Sequence, residues 1–377
     1  MRFEVHSSCA DFDSYRAQRV KSIFNAESGA HFDLDIEGDL PDKWSIGAVI
    51  GPSGSGKTSL GRQLFGGGAI ADLYGGWHSD RPLVDDISPN GSFDDVSATL
   101  AAVGLGDVPA WLRPFPVLSN GEQFRAGLAR LILDGEGDCV VDEFTSVVDR
   151  QIAKVGCLAF QKSWRRQSSG RKVVVLSPHY GIIEWLQPDW VLDTGNKRMV
   201  SGGLPKRPEI NLEICETDSK VWSLFKPHYY LDLPEPVAAR HFVGLVDGEA
   251  ACHVCFCPKF NCGHYRATRL VTMPEWQGAG VATRFLRWLC QYHLEGNGHG
   301  GKPYRTEFHT SHPGLIGWME HSRDWVRVSR SLYGGNKAKS ARSIAAASTA
   351  RGRKPFGGGY GGHLRGVSGF VYVGGAK

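Results

Sequence analysis

Gly51-Pro-Ser-Gly-Ser-Gly56-Lys57-Thr58 decides the reading of this 377-residue chain. It fits the phosphate-loop pattern G-x-x-x-x-G-K-[ST]. An apolar run from Ile46 to Ile50 precedes it and reads as a buried strand, and Ser59 to Phe65 reads as the helix that must follow. Gly51, Gly54 and Gly56 let backbone N–H groups turn inward around phosphate oxygens, with Ser53 and Ser59 in the same cradle. The helix start adds partial positive charge. Lys57 is placed to reach the β- and γ-phosphates, and the Thr58 hydroxyl suits Mg²⁺.

Four further segments follow. Leu118-Ser-Asn-Gly-Glu-Gln123 runs into the helical pattern Phe124 to Ile132. Ser119 and Gly121, beside Glu122, offer a hydroxyl and bare N–H groups at a helix start, a second anion site. Cys139-Val-Val-Asp142-Glu143 is an apolar strand ending in two carboxylates, with Ser146-Val-Val-Asp149 just beyond. Lys172 to Ser177 reads as another buried strand and ends in Pro178-His179. This order resembles the ABC ATPase family, over about residues 1–205: Walker A, signature, Walker B with its glutamate, D-loop and switch histidine. The resemblance implies that ATP binds here and that Asp142, with Thr58, holds Mg²⁺. It implies that Glu143 polarises the attacking water and that His179 contacts the γ-phosphate. Ser119, Gly121 and Glu122 would close over ATP held by a second subunit, which makes the protein a homodimer.

Two departures stand out. The signature carries Asn120 where glycine is usual. Asn is the residue after glycine that best accepts a left-handed backbone, so the loop can survive the exchange. Only 62 positions separate Lys57 from Ser119, and no Gln lies between Gln63 and Gln123. Transporter members use that region to couple to membrane domains, so its brevity argues for a non-transport protein, with the ATPase subunit of a transporter as the alternative. Phe24 is the candidate for stacking on adenine, with Phe32 competing and a core role open for either.

No apolar run approaches the ~20 residues that cross a bilayer, and the N-terminus lacks a signal-peptide core. Nine cysteines without paired spacing suit a reducing, cytoplasmic location without a membrane. Charge divides unevenly. Residues 1–205 carry 20 Lys and Arg against 26 Asp and Glu, whereas residues 206–377 carry 23 against 13. A Gly/Pro-punctuated stretch ending at Pro208 reads as the linker. The basic second half points to a polyanionic partner, nucleic acid first.

That half has its own constellation. Arg269 to Met273 reads as a strand, and Gln277-Gly-Ala-Gly280-Val-Ala282 as a Gly-rich loop feeding a helix. Val281, Phe285, Leu286 and Leu289 share one helix face. With its preceding strand, the segment resembles the [QR]-x-x-G-x-[GA] motif of GNAT acyltransferases over about residues 206–377. Gln277, Gly280 and Ala282 match the defining positions. The overall expectation is thus α/β: an ABC-type P-loop NTPase domain followed by a GNAT acyltransferase domain. The resemblance implies acetyl-CoA or another acyl-CoA. Backbone groups of Val271 to Met273 would hold pantetheine, and residues 278–282, including Gly278, Gly280 and Val281, the pyrophosphate. A first helix from Val221 to Leu231, a hairpin through Asp247-Gly248, a strand from Tyr304 to Thr310, a helix from His312 to His321 and two final strands fit the same fold.

The general acid used by many GNAT enzymes, a tyrosine on the helix after the fifth strand, is absent: that region holds Trp318, Met319 and His321. Glu307 and His309 share a strand face and are the candidate bases, with Glu275 a third. Cys252, Cys255, Cys257, Cys262 and His264 have zinc-like spacing, but alternation within a strand also suits buried free thiols. Ser331 to Gly362 holds six basic residues and no acidic one. It reads either as a solvated Gly-rich insertion or as an arm for nucleic-acid phosphates.

Overall fold

The computed structural model describes residues 2–24, 31–66, 69–167, 170–202, 204–231, 236, 238–259, 263–331 and 366–375. It divides into two compact units, one of Met1–Asp80 and Phe115–Pro208, the other of Arg81–Pro114 and Glu209–Lys377. The chain begins with β1 (Arg2–Ser8), α1 (Tyr15–Phe24), β2 (His31–Glu37), β3 (Ile46–Ile50), α2 (Lys57–Phe65) and β4 (Ile70–Ala71). It then contributes α3 (Leu83–Asp86), α4 (Phe93–Ala102) and α5 (Val108–Trp111) to the second unit. It returns for α6 (Asn120–Asp134), β5 (Cys139–Val141), α7 (Arg150–Gln167), β6 (Val173–Ser177), α8 (Ile183–Leu186), β7 (Trp190–Asp193) and β8 (Arg198–Ser201).

In the first unit, the described strands form a six-stranded sheet in the order β4-β5-β6-β3-β7-β8. All its pairings are parallel except β7 with β8. Strands β3, β5 and β6 are buried throughout, which explains why they read as unbroken apolar runs. The antiparallel pair β1-β2 sets Phe3, Val5, Leu34 and Ile36 into the core that Val49, Leu60, Val140 and Trp190 also line. The phosphate loop leaves the C-terminal end of β3, at the middle of this sheet, where α/β proteins place ligands.

The second unit continues with β9 (Glu213–Thr217), α9 (Trp222–Phe225), β10 (Arg240–Val246), β11 (Glu249–Lys259) and β12 (His264–Thr272). It ends with α10 (Val281–Tyr292), β13 (Arg305–Thr310), α11 (Pro313–His321), β14 (Trp325–Ser331) and β15 (Val367–Tyr372). Its described strands run β14-β15-β13-β12-β11-β10-β9, antiparallel everywhere except the central pair β12/β13. That pair bonds only from His264–Ala267 to Arg305–Phe308, although β12 runs on to Thr272. The two strands therefore part beyond Ala267. On β12's other edge the register with β11 shifts, and Arg269 takes a positive φ of 58°. This is a bulge, which bends its strand.

Three findings depart from the sequence reading. A single boundary near residue 205 does not describe the units, because residues 81–114 cluster with the second. The reason is apolar: α4 packs on α11, where Gly314 lets Ala101 approach closely. The helix expected over 221–231 is one α-turn flanked by 3₁₀ turns, and Pro227 in its last turn explains the early end. Strand β9 had no legible alternation, since Glu213, Cys215 and Glu216 are exposed. The Asp247-Gly248 turn joins β10 to β11 with both residues at positive φ, as a tight hairpin requires. The basic segment 331–362 lies, beyond Ser331, outside the described residues.

Candidate functional site

The loop from Gly51 to Thr58 has a backbone that suits a phosphate-binding turn. Gly51, Gly54 and Gly56 have φ of 148°, 79° and 84°, and Gly56 opens α2 in the left-handed region. Lys57 is buried, and its Nζ donates to the loop's own carbonyls, Gly51 O at 2.9 Å and Pro52 O at 2.8 Å. Burial lowers its pKa, while Glu143 and Asp142 pull it back up. Thr58 Oγ1 donates to Asp142 Oδ2 at 2.8 Å. Adjacent oxygens around an octahedral Mg²⁺ lie about 2.9 Å apart, so this hydroxyl–carboxylate pair fits that ion. Ser53 and Ser59 lie in the same loop and first helical turn.

The carboxylates and the histidine converge on the same strand ends. Glu143 is a non-glycine residue at φ 50°, a strained conformation costing roughly 1–2 kcal/mol. Its N–H donates to Asp142 Oδ1 at 2.9 Å, and its Oε2 accepts from Ser146 Oγ. His179 Nδ1 lies 3.1 Å from Thr145 Oγ1, which lies 3.1 Å from Ser177 Oγ. Ser119 caps α6. Glu122 N donates to its Oγ, while Ser119 N and Oγ both donate to Glu122 Oε2 at 2.8 Å. Asn120 sits in the helix without a left-handed backbone, and the capping box shapes the loop around it. Gly121 packs closely on α7: a Cβ there would come within 2.9 Å of the Ile152 side-chain end, which would have to shift. Asp149 caps α7 through Gln151 N and Ile152 N, both at 2.9 Å.

The two aromatic candidates separate. Phe24 ends α1 and is 74% exposed, while Phe32 is half-buried, with its ring beside Gly56. Sequence reasoning missed Thr194, whose Oγ1 donates to Ile50 O at 3.0 Å and lies 2.5 Å from Ser55 Oγ. A Cβ at Gly51 would collide with it. The one signal was its position directly after an apolar strand. Thr145 was missed for a similar reason, being a small polar residue between two motifs.

In the second unit, Gly278 and Gly280 have φ of 92° and 80°, and Gly280 opens α10. The first amides of α10, from Gly280 to Thr283, precede its hydrogen-bonded turns. Space beside Gly280 is open: the nearest atom to a Cβ there is 4.0 Å away. The Gln277 side chain bonds within its own unit. Its Nε2 donates to Thr272 O at 3.2 Å, and its Oε1 accepts Gly106 N at 3.2 Å. Met273 spends its N–H on Ala251 O and its C=O on Trp276 N, so the open backbone of β12 is confined to about Thr268–Val271.

Glu307 accepts from Lys259 Nζ at 2.7 and 2.8 Å and pairs with His264 at 2.9 Å. Burial pushes its carboxyl up, but those two partners outweigh it and hold it below the ordinary value. His309 is pushed down to about 4 by burial and by Arg266, whose Nη2 lies 2.5 Å from its Nδ1. A neutral imidazole has one lone pair, and Arg266 takes it. The cysteine set does not assemble. Cys252 lies beside Gly244 and Phe285, while Cys255, three residues on, lies with His241 and His253. Strand alternation puts them on opposite faces. Cys262 lies outside the described residues.

No protein-family model matches the chain. It is 34% identical over 144 residues to the cytochrome c biogenesis ATP-binding export protein CcmA of Paracoccus denitrificans, covering 33% of this chain and 63% of that protein. It is 32% identical over 162 residues to CcmA of Rhodospirillum rubrum, covering 36% and 68%. The chain thus spans less than two thirds of the first relative and just over two thirds of the second. A bacterial Atm1-family ABC exporter with ATP bound aligns over 55% of this chain and 39% of its own, at 16% identity and a TM-score of 0.34. No helix among the described residues is long and apolar enough to cross a membrane. With phosphate loop, signature cap, paired carboxylates and histidine in sequence, and this identity over most of the second relative, the chain belongs to the ABC-type ATPase family.

Proposed function

We propose that the protein is a non-transport ATPase whose second unit transfers an acyl group from acyl-CoA to an amine. The observation carrying the first half is the Thr58–Asp142 contact beside a buried Lys57. On binding ATP, Lys57 exchanges the Gly51 and Pro52 carbonyls for phosphate oxygens. Thr58 and Asp142 would hold Mg²⁺, which offsets phosphate charge when bound. Glu143, fixed by Asp142 and Ser146, orients a water whose oxygen attacks the γ-phosphorus as the β–γ bridge breaks. His179 contacts the γ-phosphate, held by Thr145. Ser119, Gly121 and Glu122 complete the site of a second copy, and exposed Val117 and Val147 flank the surfaces this dimer would bury.

The observation carrying the second half is the parting of β12 from β13 beside a bulge and a glycine-opened helix. The order β9-β10-β11-β12-β13-β15-β14 with one central parallel pair supports a GNAT acyltransferase reading. The open edge of Thr268–Val271 suits the amides of pantetheine, and the start of α10 suits a pyrophosphate. Glu307, held below its ordinary value, would take the proton of the acceptor nitrogen as that nitrogen bonds to the thioester carbonyl carbon; the C–S bond breaks and coenzyme A leaves as a thiolate, which takes up a proton to become the free thiol. His309 serves to orient Arg266. The basic composition of residues 206–377 favours an amine on nucleic acid as acceptor.

Residues 81–114 would couple the two. They leave and rejoin the first unit at a stacked pair, Trp77 and Phe115, 4.2 Å apart, just before the signature. In the second unit Gly106 is held by Gln277 and by His312 Nε2, which donates to its carbonyl at 3.3 Å. Movement of the signature would thus reach the Gln277 loop. A second reading, in which this unit binds acyl-CoA without turnover, is favoured by the absence of a tyrosine on α11. CoA thiol release from acetyl-CoA, measured with DNA, RNA, polyamines and peptides, decides between them. Release that falls at least tenfold in Glu307→Gln supports transfer. No release with any acceptor, from protein that still hydrolyses ATP, overturns it.

A further inference from the structure

Three side chains outside both proposed sites converge in the core of the second unit. His241 pairs across the β10/β11 hairpin with Cys255, and His253 lies two residues earlier on β11, on the same face. All three are buried. His241 Nδ1 is 3.2 Å from His253 Nε2 and 3.4 Å from Cys255 Sγ, and Cys255 Sγ is 3.8 Å from His253 Nε2. Two nitrogens and a sulfur around one tetrahedral zinc, with bonds of about 2.05 and 2.3 Å, stand about 3.4 Å (N–N) and about 3.6 Å (N–S) apart. The observed triangle matches within about 0.2 Å.

The ring orientation is set from behind. His253 Nδ1 lies 3.2 Å from Arg269 O, the carbonyl of the bulge in β12. A carbonyl only accepts, so Nδ1 carries the proton and the Nε2 lone pair faces His241 and Cys255. Backbone carbonyls orient metal-ligating histidines in this way. Trp222 and Phe225 pack against the His253 ring, each with centroids 5.2 Å away, and keep the ligand triangle dry.

We propose that His241, His253 and Cys255 bind one thiophilic d¹⁰ ion, zinc(II) or copper(I). The donor set suits both: imidazole and thiolate take zinc, and thiolate selects copper(I). A single thiolate would neutralise a copper(I) ion, while zinc would keep a net positive charge and take a fourth ligand. The ion would tie the β10/β11 hairpin to the bulge, and so fix the edge of β12 that parts from β13.

The test uses the full chain. Metal content per chain is measured by mass spectrometry on protein purified without chelator or affinity tag. Cobalt(II) titration of the metal-stripped protein then reads thiolate ligation by its charge-transfer absorption. The expected result is about one zinc or copper per chain and a cobalt band lost in Cys255→Ser. In Cys252→Ser, on the opposite face, the band persists. Should Cys255→Ser misfold, His241→Gln, which keeps the thiolate, is expected to weaken cobalt binding at least tenfold while the band survives at saturation. Stoichiometric metal retained equally by Cys255→Ser would contradict the site. Folded wild-type protein with no bound metal and no cobalt band would overturn it.

Discussion

At Lys57 the chain shows how a phosphate site is kept ready. A buried ammonium is expensive unless bonded, and the loop lends it two carbonyls. Lys57→Ala is expected to abolish ATP turnover while coenzyme A binding in the second unit persists, read by phosphate release and calorimetry. Thr145 acts one step away. Thr145→Val removes one hydrogen bond from His179, worth about 1 kcal/mol, so kcat for ATP should fall about fivefold with KM unchanged. A wild-type kcat would show that Thr145 does not position His179. Histidines in the second unit give a pH signature. Burial pushes His293 down to about 3 and His309 down to about 4, from 6.5. Unfolded chains therefore hold protons that the folded state sheds. Stability is full above about pH 6.5 and drains as pH falls toward those values. Both ring nitrogens of His293 are buried without a hydrogen-bond partner, among Phe242, Phe256 and Tyr265. His293→Phe should raise the melting temperature and flatten its decline between pH 6.5 and 4.5. An unchanged acid decline would show that this ring is not the titrating group.

Among the elements, residues 81–114 carry the proposed coupling, and their packing within the second unit is where it can be tested. Gly104, at φ 90°, lies so close to Gln277 that a Cβ would overlap its carbonyl. Gly104→Val should loosen this contact, leaving basal ATP turnover within about twofold and abolishing any response of it to acetyl-CoA. A response that survives would rule out this route of coupling. Legibility in the sequence followed burial. Strand β3 and helix α2 were readable because motif and periodicity agree, and α10 because its apolar face is clean. The destination of α4 was not. Val96, Leu100 and Val103 announce a buried helix face but not which unit buries it. Helix α1 has no buried residue, so no pattern marked it. At the site, Thr58, Asp142 and Glu143 were legible by spacing. The capping role of Asn120's neighbours, and the turning of Gln277 and Met273 toward other partners, depend on backbone geometry that spacing does not encode.

On the scale of the whole molecule, two loops of the same design, each glycine-bent and opening a helix, stand in separate units. Closure over ATP should be a property of two chains. Glu143→Gln, which keeps the loop but removes the oriented carboxylate, is expected to shift to dimer with ATP and revert with ADP, measured by light scattering. A monomer under both conditions would exclude the shared site. The central claim is that the second loop takes a coenzyme. Calorimetric titration of the intact protein with acetyl-CoA tests it most directly, alongside Gly280→Glu, which places a carboxylate in the loop. The account predicts one site per chain, lost in Gly280→Glu while ATP binding is kept. No binding by folded wild type, or equal binding by the Gly280→Glu protein, would contradict it.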